Sequence, residues 1–294
     1  MVQYTVYTLS VEFVCVATLE RSDAVNTDAS RMDISHQHVL VTGAAARPRE
    51  ATPGIGYAIA HLAGQRGHHV TILDISSDGV RGAEAAFASE GLTCASAVVD
   101  IADPAAVDSA LRRLVTDRPV SALVNAAALL RTNTAFVPFT DMDPADIQAS
   151  LDVNLLGVLN TTRAVLPGML QAQRGVIINI GSIAAAYPAP GLATYALTKA
   201  AVRSVTATLA AELGRRGVHV QGFAPGVVQT GLHDHTPTHY QDRLINGSVR
   251  GRPASIDEVA HCVIAAVEAP DAACAGQMTA IDGGLSPYGL VSAR

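Results

Sequence analysis

HVLVTGAAARPREATPGIGYAIAHLAGQRGHHVTILD, residues 38–74, sets two short apolar runs on either side of a glycine-rich turn and an alanine-rich stretch. HVLVT (38–42) and HVTILD (69–74) are continuously apolar rather than alternating, as strands buried on both faces must be. Residues 56–66 between them read as a helix. Strand, turn, helix and strand make one βαβ unit, which closes right-handed onto a parallel sheet. The pattern repeats through CASAVVD (94–100), VSALVN (120–125), GVIINI (175–180), VHVQGFA (218–224) and QMTAI (277–281). Helical stretches are expected near 79–90, 104–116, 144–170, 194–214 and 257–268. The expected fold class is α/β, a doubly wound parallel sheet of about seven strands with helices on both faces.

No linker or composition break follows residue 38, so residues 35–294 are expected to form one domain. Residues 1–34 read as an N-terminal extension, with the functional protein beginning near Met32. The alternative is a strand-like arm that packs on a partner subunit. No Lys or Arg precedes Arg21, so the charged start of a secretory signal is missing. No window reaches the ~18 uninterrupted apolar residues of a membrane span, and a cytoplasmic protein is expected. The net charge is −6 and no basic block stands out, which argues against a nucleic-acid partner. Cys15, Cys94, Cys262 and Cys274 form no CxxC pair and fit no zinc spacing.

Glycines between a strand and a helix let backbone approach a pyrophosphate, and the helix N-terminus attracts its charge. Gly43, Gly54, Ile55 and Gly56 occupy that place. Asp74 ends the second strand, where a carboxylate accepts hydrogen bonds from ribose hydroxyls and repels a 2′-phosphate. It therefore favours NAD over NADP. Asp100 and Asn125 close the third and fourth strands.

Tyr195 and Lys199 stand four apart in a helical stretch, so they share a face. Lys199 is the sole lysine among nineteen arginines. A nearby ammonium favours a phenolate and makes tyrosine a usable general acid and base. Ser182 follows the strand GVIINI, on the ligand side of an open α/β sheet.

In these motifs, and in their order, the chain resembles the short-chain dehydrogenase/reductase family, in its compact single-domain branch with a Rossmann-like sheet. The resemblance covers about residues 36–286 and rests on TGAAA with GIG (42–46, 54–56), Asp100, VNAAA (124–128), DVNLLG, GSIAA, Tyr195 with Lys199, PGVVQT (225–230) and GQMTAIDGG (276–284). It implies a catalytic tetrad of Asn154, Ser182, Tyr195 and Lys199. Tyr195 would exchange the proton with the reacting oxygen, and Ser182 would orient that oxygen. Lys199 would lower the Tyr195 pKa and hold the nicotinamide ribose. Asn154 would hold a water that links Lys199 to solvent. Cofactor contacts are further implied at Asp100, Ile101, Asn125 and Ala126 on the adenine side. On the nicotinamide side they are implied at Pro225, Gly226, Val228 and Thr230. A dimer or tetramer is implied as well.

The chain departs from the family turn by seven extra residues, 47–53. Arg47 and Arg49 there can reach phosphate oxygens or accept a 2′-phosphate, which would admit NADP; the alternative is a solvated basic bulge. The usual Asn-Ala-Gly is Asn125-Ala126-Ala127. Tyr187 and Leu192, with Ser182 and Tyr195, are the candidate substrate contacts and suggest a partly apolar pocket. Residues 231–252 fall at the family's lid and carry His233, His235 and His239, but Pro237 interrupts any helix that could align them, so no metal is expected. The expected activity joins NAD(H) to a small secondary alcohol or ketone. The rival enzyme reading is 3-oxoacyl thioester reduction with NADPH. The rival from another class is a nucleotide-binding regulatory or scaffold protein without turnover. A Ser182 hydrolase lacks the GxSxG elbow.

Overall fold

A computed structural model describes residues 36–46, 53–115, 118–130, 136–187, 189–230 and 236–285, all within the compact unit 34–294. Seven parallel strands lie in the order β3-β2-β1-β4-β5-β6-β7. They are β1 (His38–Thr42), β2 (His69–Asp74), β3 (Cys94–Val98), β4 (Ala122–Asn125), β5 (Gly175–Ile180), β6 (Val218–Pro225) and β7 (Met278–Ile281). The register pairs Thr42 with Leu73 and Asn125, and Asn125 with Asn179. The C-terminal strand ends thus line up along one rim.

Alternate residues of each central strand feed two cores. Val39, Val41, Val176 and Ile178 pack with α1 (Ile55–Gln65), α2 (Ser77–Ser89) and α8 (Ile256–Glu268). Leu40, Leu123 and Ile177 pack on the other face with α3 (Pro104–Leu114), α5 (Gly157–Ala172) and α6 (Ala193–Leu213). This two-sided burial is why the runs are apolar without a period of two. β3 and β7 are edges and are only partly buried.

Four of the eight α-helices among the described residues start on a side-chain cap from their own sequence. Ser76 accepts from Gly79 N, Asp103 from Ala105 N and Ala106 N, and Ser255 forms a capping box with Glu258. α1 differs: its N-cap is Gly54, which has no side chain to offer.

The stretch expected as one helix over 144–170 is α4 (Pro144–Leu151), a π-helical turn (Asp152–Leu156) and α5. The π turn inserts an extra residue per turn and rotates the side chains that follow. Asn154 sits inside it. A helix not expected from the sequence, α7 (Thr238–Asn246), starts directly after Pro237. Pro237 is therefore its N-cap, where a missing N–H costs nothing. Among the described residues no helix is long and apolar enough to cross a membrane.

Candidate active site

The glycine turn is closed by contacts that only glycine permits. Gly43 has φ +69, and its N–H donates to Leu73 O at 2.8 Å. A Cβ there would lie 2.5 Å from Ala127 Cα, and one on Gly56 would lie 2.3 Å from Gly43 O. The methyl group of Ala127, where the family pattern has glycine, fits because Gly43 has none. Gly54 is the contrast: among the described residues nothing lies within 4 Å of its Cβ position. A helix N-terminus with no side-chain cap leaves its first N–H groups to an anion. Thr42 Oγ1 accepts from Ala126 N and Ala127 N, both at 3.2 Å, and fixes the chain leaving β4 against the turn.

Asp74 is 8% exposed. Its Oδ2 accepts from Ala45 N at 3.1 Å and its Oδ1 from Ser76 N at 3.0 Å, while Ala46 N donates to Gly79 O at 3.0 Å. The carboxylate therefore ties the turn to the start of α2. Arg47, Arg49, His233 and His235 lie outside the described residues.

Other expected cofactor contacts have their side chains engaged elsewhere. Asn125 donates to Thr162 Oγ1 (3.3 Å) and Asn179 Oδ1 (2.9 Å) and accepts from Thr161 (2.7 Å), so its amide braces the sheet interior. Ile101 is buried against the Cα of Gly157, where a Cβ would lie 2.5 Å from Ile101 Cδ1, and its carbonyl accepts from Asn160. Asp100 is exposed and accepts from Ala102 N. These residues keep only backbone or outward-facing atoms for a ligand. Gly226 N donates to Ile281 O, Val228 is buried and bridges Ala254, and Thr230 is half-buried at the same rim. Pro225 ends β6.

The catalytic candidates meet at the end of β5. Ser182 begins a 3-10 turn, and its Oγ accepts from Ala184 N at 3.1 Å, which aims the side chain. Lys199 is 3% exposed, and its Nζ donates to Ile180 O at 2.9 Å while lying 5.7 Å from the Tyr195 ring centroid. Asn154 is fully buried: Oδ1 accepts from Leu129 N (2.6 Å), and Nδ2 donates to Leu129 O (2.9 Å) and Thr198 Oγ1 (3.3 Å). It thereby joins the chain leaving β4 to α6.

Burial pushes the Tyr195 phenol above its ordinary value of 10, and its hydrogen bond with Ser182 works in the opposite direction. The resemblance assigned that lowering to Lys199. Here Nζ is held over the ring by Ile180 O, so Ser182 is the group that opposes the rise. Burial also lowers Lys199 from 10.5 to about 8. Between those two pH values the unfolded chain binds more protons than the folded one, so the burial penalty lifts and stability increases with pH. Lys199→Met is expected to remove this rise, read as urea midpoints from pH 8 to 10; a rise of the same size in the variant contradicts the assignment.

On the substrate side, the Tyr187 hydroxyl donates to Leu285 O at 3.0 Å. Leu192 is buried at the start of α6. Sequence reading missed Phe136, whose ring meets Tyr240 of α7 at 5.3 Å. Its positive φ of 63 leaves no mark in the sequence, and Tyr240, in the otherwise polar THYQDR stretch, was missed with it. A separate cavity of about 520 Å³ lies between α3 and α5, lined by Leu111, Arg112, Val120, Asn160 and Arg163, and includes none of the tetrad.

Comparison with known proteins agrees with this geometry. The family described as short chain dehydrogenase matches residues 37–241, and the chain belongs to that family. It is 35% identical to the oxidoreductase UcpA of Escherichia coli K12 over 192 residues, 65% of this chain and 71% of that one. A gluconate 5-dehydrogenase from Burkholderia cenocepacia, solved with NADP and tartrate, superposes with TM-score 0.76 at 31% identity, covering 87% of this chain and 97% of that one. A 3-oxoacyl-[acyl-carrier protein] reductase from Brucella melitensis with bound NAD gives TM-score 0.76 at 30% identity, covering 90% and 97%. The chain is thus an oxidoreductase of the short-chain dehydrogenase family with a nucleotide-binding Rossmann fold.

Proposed function

We propose that the chain moves a hydride between NAD(H) and a secondary alcohol or ketone, with Tyr195 as the general acid and base. The observation that carries this reading is the meeting of Ser182, Tyr195 and Lys199 at the end of β5, on the same rim as the glycine turn. The nicotinamide supplies or takes the hydride. Backbone of Gly43, Gly54, Ile55 and Gly56 holds the pyrophosphate, and backbone at Ile101, Asn125 and Ala126, with Asp100, borders the adenine. Pro225, Gly226, Val228 and Thr230 border the nicotinamide.

In reduction Ser182 donates a hydrogen bond to the carbonyl oxygen, and the Tyr195 hydroxyl gives up its proton to it. In oxidation the Tyr195 phenolate takes the proton of the alcohol. Lys199 holds the ribose and offsets negative charge at Tyr195. Asn154 keeps a second lone pair on Oδ1 for a water toward Lys199. A screen of secondary alcohols and ketones with each dinucleotide, read by nicotinamide absorbance, tests this. Turnover with NAD(H) is expected, and no turnover across the panel would contradict it.

Asp74 supports NAD over NADP, because a 2′-phosphate beside it would face a carboxylate. Asp74→Ala is expected to weaken NADH binding by about 10-fold or more, the order of a lost charged hydrogen bond, and to narrow the gap to NADPH. An unchanged NADH-to-NADPH ratio in a fluorescence titration would remove Asp74 from cofactor choice. A second reading, 3-oxoacyl thioester reduction with NADPH, draws on the 30% identity with the FabG reductase of Thermotoga maritima over 249 residues.

The working form is proposed as a cytoplasmic homo-oligomer. Leu156 on the π turn and Leu197 on α6 are exposed apolar side chains that a second copy would cover. Cys94, Cys262 and Cys274 are free thiols, in keeping with a reducing compartment.

A further inference from the structure

β5 lies between β4 and β6 in the sheet. The segments that follow β4 and β6 therefore flank the end of β5, where Ser182 stands. A contact joins them, and it is aromatic. The Phe136 and Tyr240 ring centroids are 5.3 Å apart at 62°, an edge-to-face packing.

Three features hold Phe136 there. It takes φ +63, a conformation that bulky residues adopt only when their surroundings enforce it. Its N–H donates to Gly191 O at 3.0 Å. Gly191 has φ +78, and a Cβ there would lie 2.3 Å from Phe136 Cα. Gly191 precedes Tyr195 by four residues, so the strained aromatic is seated on the segment that leads into the catalytic helix. Leu192 is buried beside it, and the Met142 sulfur meets Thr194 Oγ1 at 3.5 Å, next to Tyr195. Burial holds the Tyr240 phenol above its ordinary value, so it stays uncharged at neutral pH.

We propose that Phe136 and Tyr240 form an apolar wall across the substrate mouth and select substrates that carry an aryl or branched alkyl group on the reacting carbon. Open-chain polyhydroxy acids are disfavoured, because a ring edge and a ring face offer their hydroxyls no partners to replace water. The strain at Phe136 has a physical purpose in this arrangement: it turns the ring toward α7 rather than toward solvent. Selection acts through contact with the substituent, while proton transfer stays with Tyr195. The inference rests on the oxidoreductase reading for the position of the substrate.

The test is a binding measurement that needs no turnover. Protein with NADH present is titrated with 1-phenylethanol and with gluconate, read by saturation-transfer NMR on the ligand. Binding of 1-phenylethanol about tenfold tighter than gluconate or more is expected. Phe136→Ala and Tyr240→Ala are expected to lose about tenfold or more in 1-phenylethanol affinity, and Tyr240→Phe to keep it, with circular dichroism as the check on folding. Gly191→Ala displaces the Phe136 backbone and is expected to reproduce the Phe136→Ala loss. Tighter gluconate binding, no 1-phenylethanol binding, or affinity within about twofold of wild type in both alanine variants would overturn the wall. Oxidation of 1-phenylethanol with NAD is followed in parallel. Binding that responds to the wall variants without any turnover leaves the wall standing and takes down the oxidoreductase reading instead.

Discussion

Tyr195→Phe is expected to lower kcat by about 10²–10⁴-fold, the usual contribution of a positioned general acid and base. The variant keeps the ring over which Lys199 Nζ lies and removes only the hydroxyl that hydrogen-bonds with Ser182. Dinucleotide affinity should therefore change little, because none of the glycine-turn contacts involves that hydroxyl. A loss confined to kcat separates proton transfer from a folding defect. The pH profile carries a second expectation. Burial raises the Tyr195 pKa, so its protonated form persists across neutral pH and reduction should not decline there as pH rises toward 8. Steady-state kinetics of the wild type and of Tyr195→Phe between pH 6 and 9 checks this. Retained turnover in Tyr195→Phe would remove Tyr195 from the chemistry.

Gly56→Ala is expected to destabilise the protein by about 3 kcal/mol, the upper range for forcing an atom into a packed site. Its new Cβ would lie 2.3 Å from Gly43 O and 3.1 Å from Thr42 O, and neither backbone atom can turn aside as a side chain would. Gly43 cannot retreat either, since its own Cα side rests on Ala127. Gly54→Ala is the paired control. Gly54 has φ −79 and ψ 163, which any residue adopts, and no described residue within 4 Å on its Cβ side. It should fold normally and weaken dinucleotide binding by about tenfold or more, because the methyl group occupies the approach to the α1 N-terminus. Thermal unfolding and NADH titration of both variants distinguish a packing glycine from a ligand-facing one. Equal effects of the two substitutions would refute the distinction.

The strands were legible because two-sided burial writes itself as an unbroken apolar run. His38–Thr42, His69–Asp74 and Gly175–Ile180 stand where HVLVT, HVTILD and GVIINI placed them. CASAVVD was read too long, since β3 is an edge strand and pairing stops at Val98. The π turn at 152–156 was hidden, because one extra residue in a long helix barely disturbs its apolar period. α7 was hidden by a polar lid sequence and by Pro237, which reads as a breaker but serves as a cap.

Residue roles were less legible than residue positions. Ser182, Tyr195 and Lys199 come together through one strand end and one helix face, and the sequence encodes both directly. The partners of Asn125 and Asn154 come from two other parts of the chain each, and Asp74 reaches a distant turn, so spacing along the chain could not assign them. The same holds for Phe136 and Tyr240, which follow β4 and β6 on either side of β5 and meet through their rings.

All of this chemistry rests on the cradle of Gly43, Gly54 and Gly56 accepting a dinucleotide despite the seven added residues at 47–53. The direct measurement is a fluorescence titration of the full chain with NADH and, separately, with NADPH. Saturable binding of both, tighter for NADH, is the expected result. Binding of neither dinucleotide would contradict the oxidoreductase reading and leave a fold of this family serving some other purpose.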